Sequence, residues 1–288
     1  MPEMPEVHAL ANDLSLRLEG QTVERLDVSA FSALKTFDPP LTEVAGREVA
    51  GVTHHGKYLD LELGSDPAEL HVVVHLAKAG WVRWLDVLPP ARAGRGALAA
   101  RLVLRNGAGL AITEAGTKKS LAIWVVRDPR DVPGIATLGP DPLSDAFTEQ
   151  AFGAVLAGAG RAQIKGVLRN QALIAGIGNA YSDEILHVAR MSPFKPAAMT
   201  GEETSRLYAA MRSTLQDAIA RSEGLAAADL KGEKKAGMRV HGRTGQPCPV
   251  CGDTVRDVQF ADRSLQYCPT CQTGGKPLAD RAMSRLLK

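Results

Sequence analysis

A chain of 288 residues that is 45% hydrophobic, 23% charged and 5% aromatic is globular in composition, and its length favours two domains over one. No apolar run approaches ~20 residues, which excludes a membrane-spanning helix, and the acidic start MPEMPEVHAL lacks the basic and apolar regions of a secretion signal. The formal net charge of +2 is unevenly spread: residues 231–288 hold 11 Lys+Arg against 5 Asp+Glu, whereas residues 1–230 hold 23 against 27. A basic module on a mildly acidic body suggests a polyanion partner, most simply nucleic acid; by charge alone a solvated basic tail accounts for it equally well. The expected location is the cytoplasm.

Residues 5–18 place Val7, Leu10, Leu14 and Leu18 on one face at three- to four-residue spacing, which predicts an amphipathic helix. From about residue 21 to 126, short alternating runs such as TVERLDV, YLDLEL, ELHVVVHL and AARLVLRN recur between Gly, Pro and Asp turns. They predict a sandwich or barrel-like domain of roughly 6–8 strands. Residues 128–142, rich in Pro and Gly, read as a linker. Helical texture follows at 147–157, 163–168, 171–174, 180–189 and 202–221, with the break Gly176-Ile177-Gly178-Asn179 between two of the pieces. Helix, glycine turn, helix is the texture of a DNA-binding helix–turn–helix-like module.

Two Cys-x-x-Cys knuckles, Cys248/Cys251 and Cys268/Cys271, are separated by 16 residues and use every cysteine in the chain. Four cysteines do not make a disulfide scaffold, and this spacing is that of a closed, structural Zn²⁺ site. A hairpin of about 20 residues buries too little to hold its own shape, so metal binding supplies the folding energy. Its loop carries Arg256, Asp262 and Arg263, and Arg263 is placed to reach a phosphate or base edge. In the glycine turn, Asn179 is expected to cap a helix starting at Ala180, whose free N–H groups favour a phosphate; taken alone, an ordinary capped turn explains it as well. At the N-terminus, removal of Met1 would expose the secondary amine of Pro2, nucleophilic near neutral pH, beside the Glu3 carboxylate.

Together these segments resemble the formamidopyrimidine-DNA glycosylase / endonuclease VIII family. The matching stretches are PEMPEV at the start, Gly56-Lys57-Tyr58, Ile164-Lys165, AGIGNAY with Glu184 following, and Arg263 ahead of YCPTCQ; they run in order over residues 2–272. The resemblance implies an α+β fold: an N-terminal helix with a β-sandwich domain (1–130), a linker (131–147), a helix–two-turn–helix domain (148–237), a zinc-ribbon finger (238–272) and a basic tail (273–288). It implies a nucleoid-associated, bacterial-type monomer that acts on damaged DNA, away from membranes, with one structural Zn²⁺ on Cys248, Cys251, Cys268 and Cys271. Pro2, Glu3 and Lys57 would be catalytic: Pro2 attacks C1′ and forms a Schiff base, Glu3 transfers protons, and β,δ-elimination cuts the strand. Lys57, Lys78, Lys119, Lys165, Asn179 and Arg263 would bind DNA, and Glu6 is a further motif acid near the pocket.

The chain departs from the family where 8-oxoguanine enzymes fill the gap left by the flipped base with Met, Arg and Phe. Here those stretches read His75-Leu76-Ala77-Lys78-Ala79-Gly80 and Gly116-Thr117-Lys118-Lys119-Ser120-Leu121. A lysine brings charge but replaces little stacking. Residues 226–237 read as a loop too short and polar to close over a purine. Two classes therefore stand: a bifunctional glycosylase/AP lyase, and a non-catalytic paralogue that binds damaged or bent DNA.

Overall fold

A computed structural model describes residues 2–64, 68–89, 97–260 and 263–279. The chain forms two compact units, Met1–Leu138 with Ser222–Lys231, and Gly139–Arg221 with Gly232–Lys288. Among the described residues no helix is long and apolar enough to cross a membrane.

The first unit opens with α1, Met4–Leu18. Glu3 is its N-cap and forms a capping box with Glu6, whose Oε2 accepts from the Glu3 N–H at 2.8 Å; Pro5 sits in the first turn, where no intrahelical donor is needed. Val7, Leu10, Leu14 and Leu18, the expected stripe, are all fully buried. Eight strands follow: β1 (Val23–Val28), β2 (Val49–His55), β3 (Tyr58–Leu63), β4 (Leu70–His75), β5 (Gly80–Leu85), β6 (Leu98–Leu104), β7 (Gly109–Glu114) and β8 (Ala122–Val126). They form two antiparallel four-stranded sheets, in order β1-β6-β7-β5 and β2-β3-β4-β8. The inward residues of both sheets and the α1 stripe make one core.

The proline-rich stretch after β8 is more structured than a linker. It holds a 3₁₀ turn, Pro129–Asp131, and a short helix α2 (Pro133–Ala136), and Val132 and Ile135 pack with Val73 and Val126.

In the second unit α3 (Glu149–Ala159) is capped by Thr148, whose Oγ1 accepts from Ala151 N. It is followed by α4 (Ile164–Arg169), α5 (Asn179–Val188) and α6 (Gly201–Ser222). Phe147 and Phe152 meet edge to face, and Tyr208 of α6 packs on Phe152 and donates to Phe147 O. The expected helical piece at 171–174 is a turn. There the Gln171 side chain accepts from Gly176 N and donates to Ile177 O, so it braces the glycine break instead of continuing a helix.

After α6 the chain enters the first unit before returning. Residues 226–237, read as a polar loop, include α7 (Leu230–Gly237), and Ala227 and Leu230 are buried in the sandwich core. Trp81 Nε1 donates to Ala227 O at 3.0 Å, and Lys231 lies over the Trp81 ring. The binary pattern of this stretch is too sparse to show two buried anchors. The finger follows as β9 (Arg256–Gln259), β10 (Ser264–Tyr267) and α8 (Pro269–Thr273). Of the basic tail, Leu278 N donates to Tyr267 Oη; residues 280–288 lie outside the described set.

Candidate nucleic-acid interface and metal centre

In the first unit, one end of the sandwich collects several residues the sequence singled out. Helix α1 runs antiparallel to β2: Ser15 Oγ accepts from Val52 N, and His8 Nδ1 lies 3.0 Å from His54 Nε2. That direction carries Pro2 and Glu3 toward the β2–β3 hairpin tip, where Gly56 has φ +55°, a left-handed conformation that glycine adopts without steric cost, and presents Lys57. Pro2, Glu3 and Glu6 are buried, and Lys57 is half-buried. The Tyr58–His75, His75–Ala122 and Gly80–Glu114 pairings put the 76–79 turn and the 115–121 loop at this same end. Burial, with Lys57 nearby, pushes the His75 imidazole down to about 4.

Lys78, Lys118 and Lys119 are exposed on those two neighbouring segments, which Ala115 N ties to Ala79 O. The buried Glu114 carboxylate shapes the lysine loop: its Oε1 accepts from Ser120 N at 2.7 Å and Leu121 N at 3.0 Å, while Lys119 Nζ donates to the Glu114 carbonyl. An anion held by backbone donors fixes a loop that sequence texture leaves undefined.

In the second unit the glycine turn departs from expectation. The N-cap of α5 is Gly178, and Asn179 is the first helical residue. Its Nδ2 donates to Ser264 O at 2.8 Å, so its side chain reaches the finger hairpin, and its Oδ1 accepts no hydrogen bond among the described residues, so it does not cap the helix. Ser264 follows Arg263, which is exposed at the hairpin end with its guanidinium over Phe260. Asn179 and Arg263 are thereby brought together; Asp262 lies outside the described residues.

Lys165, expected to face DNA, is an internal residue, 6% exposed. Its Nζ donates to Asp183 Oδ1 at 2.6 Å, Ser182 Oγ at 2.7 Å and Asn179 O at 3.1 Å. An ammonium so engaged positions the start of α5 rather than presenting charge outward. Asp183 also meets His241 Nδ1 at 2.8 Å. Glu184 accepts from the backbone N–H groups of Arg239, Val240 and His241, at 2.7, 2.9 and 2.8 Å. Burial pushes the Glu184 carboxyl up, against the pull of these three donors. Of this network the sequence singled out Lys165, Asn179 and Glu184. Asp183 and His241 escaped it, since a buried partner for Lys165 is visible only once α4 and α5 are packed.

The four cysteine sulfurs all lie within 4.8 Å of one another, with Cys251–Cys268 at 3.4 Å and Cys248–Cys271 at 3.9 Å. A tetrahedral Zn²⁺ with 2.3 Å bonds sets S–S edges of about 3.8 Å, so the residues fit the ion. Burial pushes the Cys268 thiol up to about 11 and Cys271 higher still, whereas a hydrogen bond from the Asp253 backbone holds the Cys251 thiol below its ordinary value. A divalent ion favours the thiolate form of each ligand. One ligand has a side-chain neighbour: His187 Nε2 stands 3.3 Å from Cys248 Sγ.

A sandwich bearing a buried N-terminal acid and a lysine-rich end, with a helical module joined to a four-cysteine finger, defines a class of DNA-repair glycosylases. Family models match in three consecutive segments: the formamidopyrimidine-DNA glycosylase N-terminal domain over residues 1–118, its H2TH domain over 138–228, and a zinc finger found in FPG and IleRS over 245–274. An uncharacterized formamidopyrimidine-DNA glycosylase-like protein of Mycobacterium tuberculosis is 62% identical over 152 residues, 52% of this chain and 94% of that protein. Formamidopyrimidine-DNA glycosylase of Moorella thermoacetica is 34% identical over 268 residues, 90% of this chain and 95% of the relative. The crystal structure of Lactococcus lactis formamidopyrimidine-DNA glycosylase bound non-covalently to DNA containing an AP site superposes with a TM-score of 0.81 at 25% identity, covering 94% of this chain and 99% of that one. The chain belongs to the formamidopyrimidine-DNA glycosylase family.

Proposed function

We propose that the protein is a bifunctional glycosylase and AP lyase acting on damaged DNA. What supports this is that buried Pro2 and Glu3 lie at the start of α1, which runs antiparallel to β2 toward the hairpin that presents Lys57. After loss of Met1 the Pro2 nitrogen adds to C1′ of the flipped nucleotide, and the damaged base leaves with the glycosidic electron pair. As the base leaves, Glu3 donates a proton to O4′ and the sugar opens, giving an iminium C=N; a preformed abasic site, already in part the open aldehyde, does not need this proton. The iminium acidifies C2′–H, so loss of that proton expels the 3′ phosphate; a second elimination expels the 5′ phosphate, and water releases Pro2. Lys57, Lys78 and Lys119 in one unit, and Arg263 with the second Nδ2 hydrogen of Asn179 in the other, supply phosphate contacts. Lys165 supports Asn179 from inside.

The lysines at 78, 118 and 119 favour substrates that need little unstacking, namely abasic sites and bases already unpaired, over 8-oxoguanine in intact duplex. Borohydride tests the chemistry: it should trap a covalent adduct with abasic DNA, and retention of Met1 should abolish trapping. Glu3→Gln should slow base release by roughly 10²- to 10⁴-fold and spare cleavage at a preformed abasic site. Tight binding to abasic DNA with no adduct at any lesion would leave the non-catalytic paralogue standing instead.

A further inference from the structure

Helix α5 carries Asn179 at one end and, two turns on, His187, which is 2% exposed. One imidazole nitrogen, Nε2, faces Cys248 Sγ at 3.3 Å; the other, Nδ1, is buried and has no hydrogen-bond partner among the described residues. The two tautomers differ sharply in cost. With the proton on Nδ1, a buried N–H has no acceptor and a nitrogen lone pair faces a sulfur that carries negative charge once metal is bound. With the proton on Nε2, the N–H donates to that sulfur and only a lone pair is left without a partner. The Val250 N–H also points at Cys248 Sγ, at 3.5 Å, so this ligand sits between two donors while Cys251 is exposed.

We propose that His187 is a positioning residue for the metal centre, held as the Nε2–H tautomer and donating to the Cys248 thiolate. Donation disperses charge from Cys248, slows its departure from the metal and lowers its donor strength. It also fixes the first knuckle to α5, the helix that begins with Asn179. No glycosylase or lyase step depends on it, so the idea stands or falls apart from the proposed reaction.

The test uses full-length, zinc-loaded protein. Imidazole ¹⁵N shifts report the tautomer, with Nε2–H expected; a proton on Nδ1 would overturn the proposal without any variant. His187→Phe keeps an aromatic ring and removes the donor, whereas His187→Gln restores an N–H at similar reach. With excess chelator, His187→Phe should release zinc about 10-fold faster and His187→Gln close to the parent rate. In Co²⁺-substituted protein the sulfur-to-metal charge-transfer band should move to lower energy in the Phe variant and stay in place in the Gln variant. Parent-like release and an unmoved band in His187→Phe overturn the assignment. Equal acceleration in both variants also overturns it, because packing would then be the cause. If His187→Phe does not fold, the wild-type tautomer and the Gln variant decide.

Discussion

The sandwich core gathers apolar side chains from α1 and from all eight strands, and Leu10, Leu14, Leu59, Leu63 and Leu102 are each no more than 1% exposed within it. Around α5 in the second unit buried apolar residues such as Ile185 and Leu186 are joined by the buried polar groups Lys165, Asp183, Glu184 and His187, and a cluster of four sulfurs follows in the finger. Apolar burial is non-directional and tolerates local repacking, so the first unit distributes its stability over many contacts. The second arrangement is directional: each charge is stable only while its particular partner is present. It holds Asn179 and the finger hairpin through particular partners, at the cost of tolerance to substitution.

Metal removal breaks this contrast most severely. A structural four-cysteine site contributes apparent binding energy of order 10 kcal/mol, so chelation, or Cys268→Ser, should unfold the finger. Limited proteolysis should then cut beyond residue 238, while the thermal transition of the sandwich remains.

Next in size is the buried pair. Lys165→Met leaves Asp183 charged and short of its main partner, and should cost about 3–5 kcal/mol in urea unfolding of the second unit. Lys165→Met combined with Asp183→Leu should cost less than Lys165→Met alone. If the double variant costs the sum of the singles, the network is not directional in the sense argued.

Leu14→Ala, on the fully buried stripe of α1, should cost about 2–5 kcal/mol through lost transfer energy and a residual cavity. The loss should appear in the first unit only.

The smallest effect concerns one buried polar cluster within the sandwich. Asp60, 2% exposed, meets His55 Nε2 at 2.9 Å and His71 Nδ1 at 3.0 Å. Burial pushes its carboxyl up, but the hydrogen bonds and charges of His55 and His71 outweigh this and hold it below the usual range. Burial likewise pulls the His71 imidazole down, and its bond to Asp60 more than reverses that, leaving it raised. The Asp60 contribution is complete above the unfolded carboxylate value of ~3.9 and is lost as pH falls through the depressed folded value. The His71 contribution is complete below ~6.5 and is lost as pH rises through the raised folded value. The pair should therefore stabilise the sandwich most between about pH 4 and 6.5, and Asp60→Asn should remove about 1–3 kcal/mol there and flatten the pH profile.

The sequence by itself determined whatever depends on local periodicity or spacing. The α1 stripe, the alternating strands and the four cysteines are all of this kind, because a 3.6-residue repeat, a two-residue repeat and a Cys-x-x-Cys knuckle each prescribe geometry within a few residues. Gly56-Lys57 was picked out only by its resemblance to a family motif; its place at the β2–β3 hairpin tip came from the structure. Tertiary structure alone decided which polar groups become partners. Lys165 reads as a surface cation until Asp183 and Ser182 enclose it, and Asn179 reads as a cap until Ser264 takes its amide. Residues 226–237 read as a polar loop until Ala227, whose carbonyl accepts from Trp81 Nε1, and Leu230 enter the sandwich core. A charge or amide carries no periodicity that names its partner, and partners 14 to 146 residues apart meet only when the elements between them have packed.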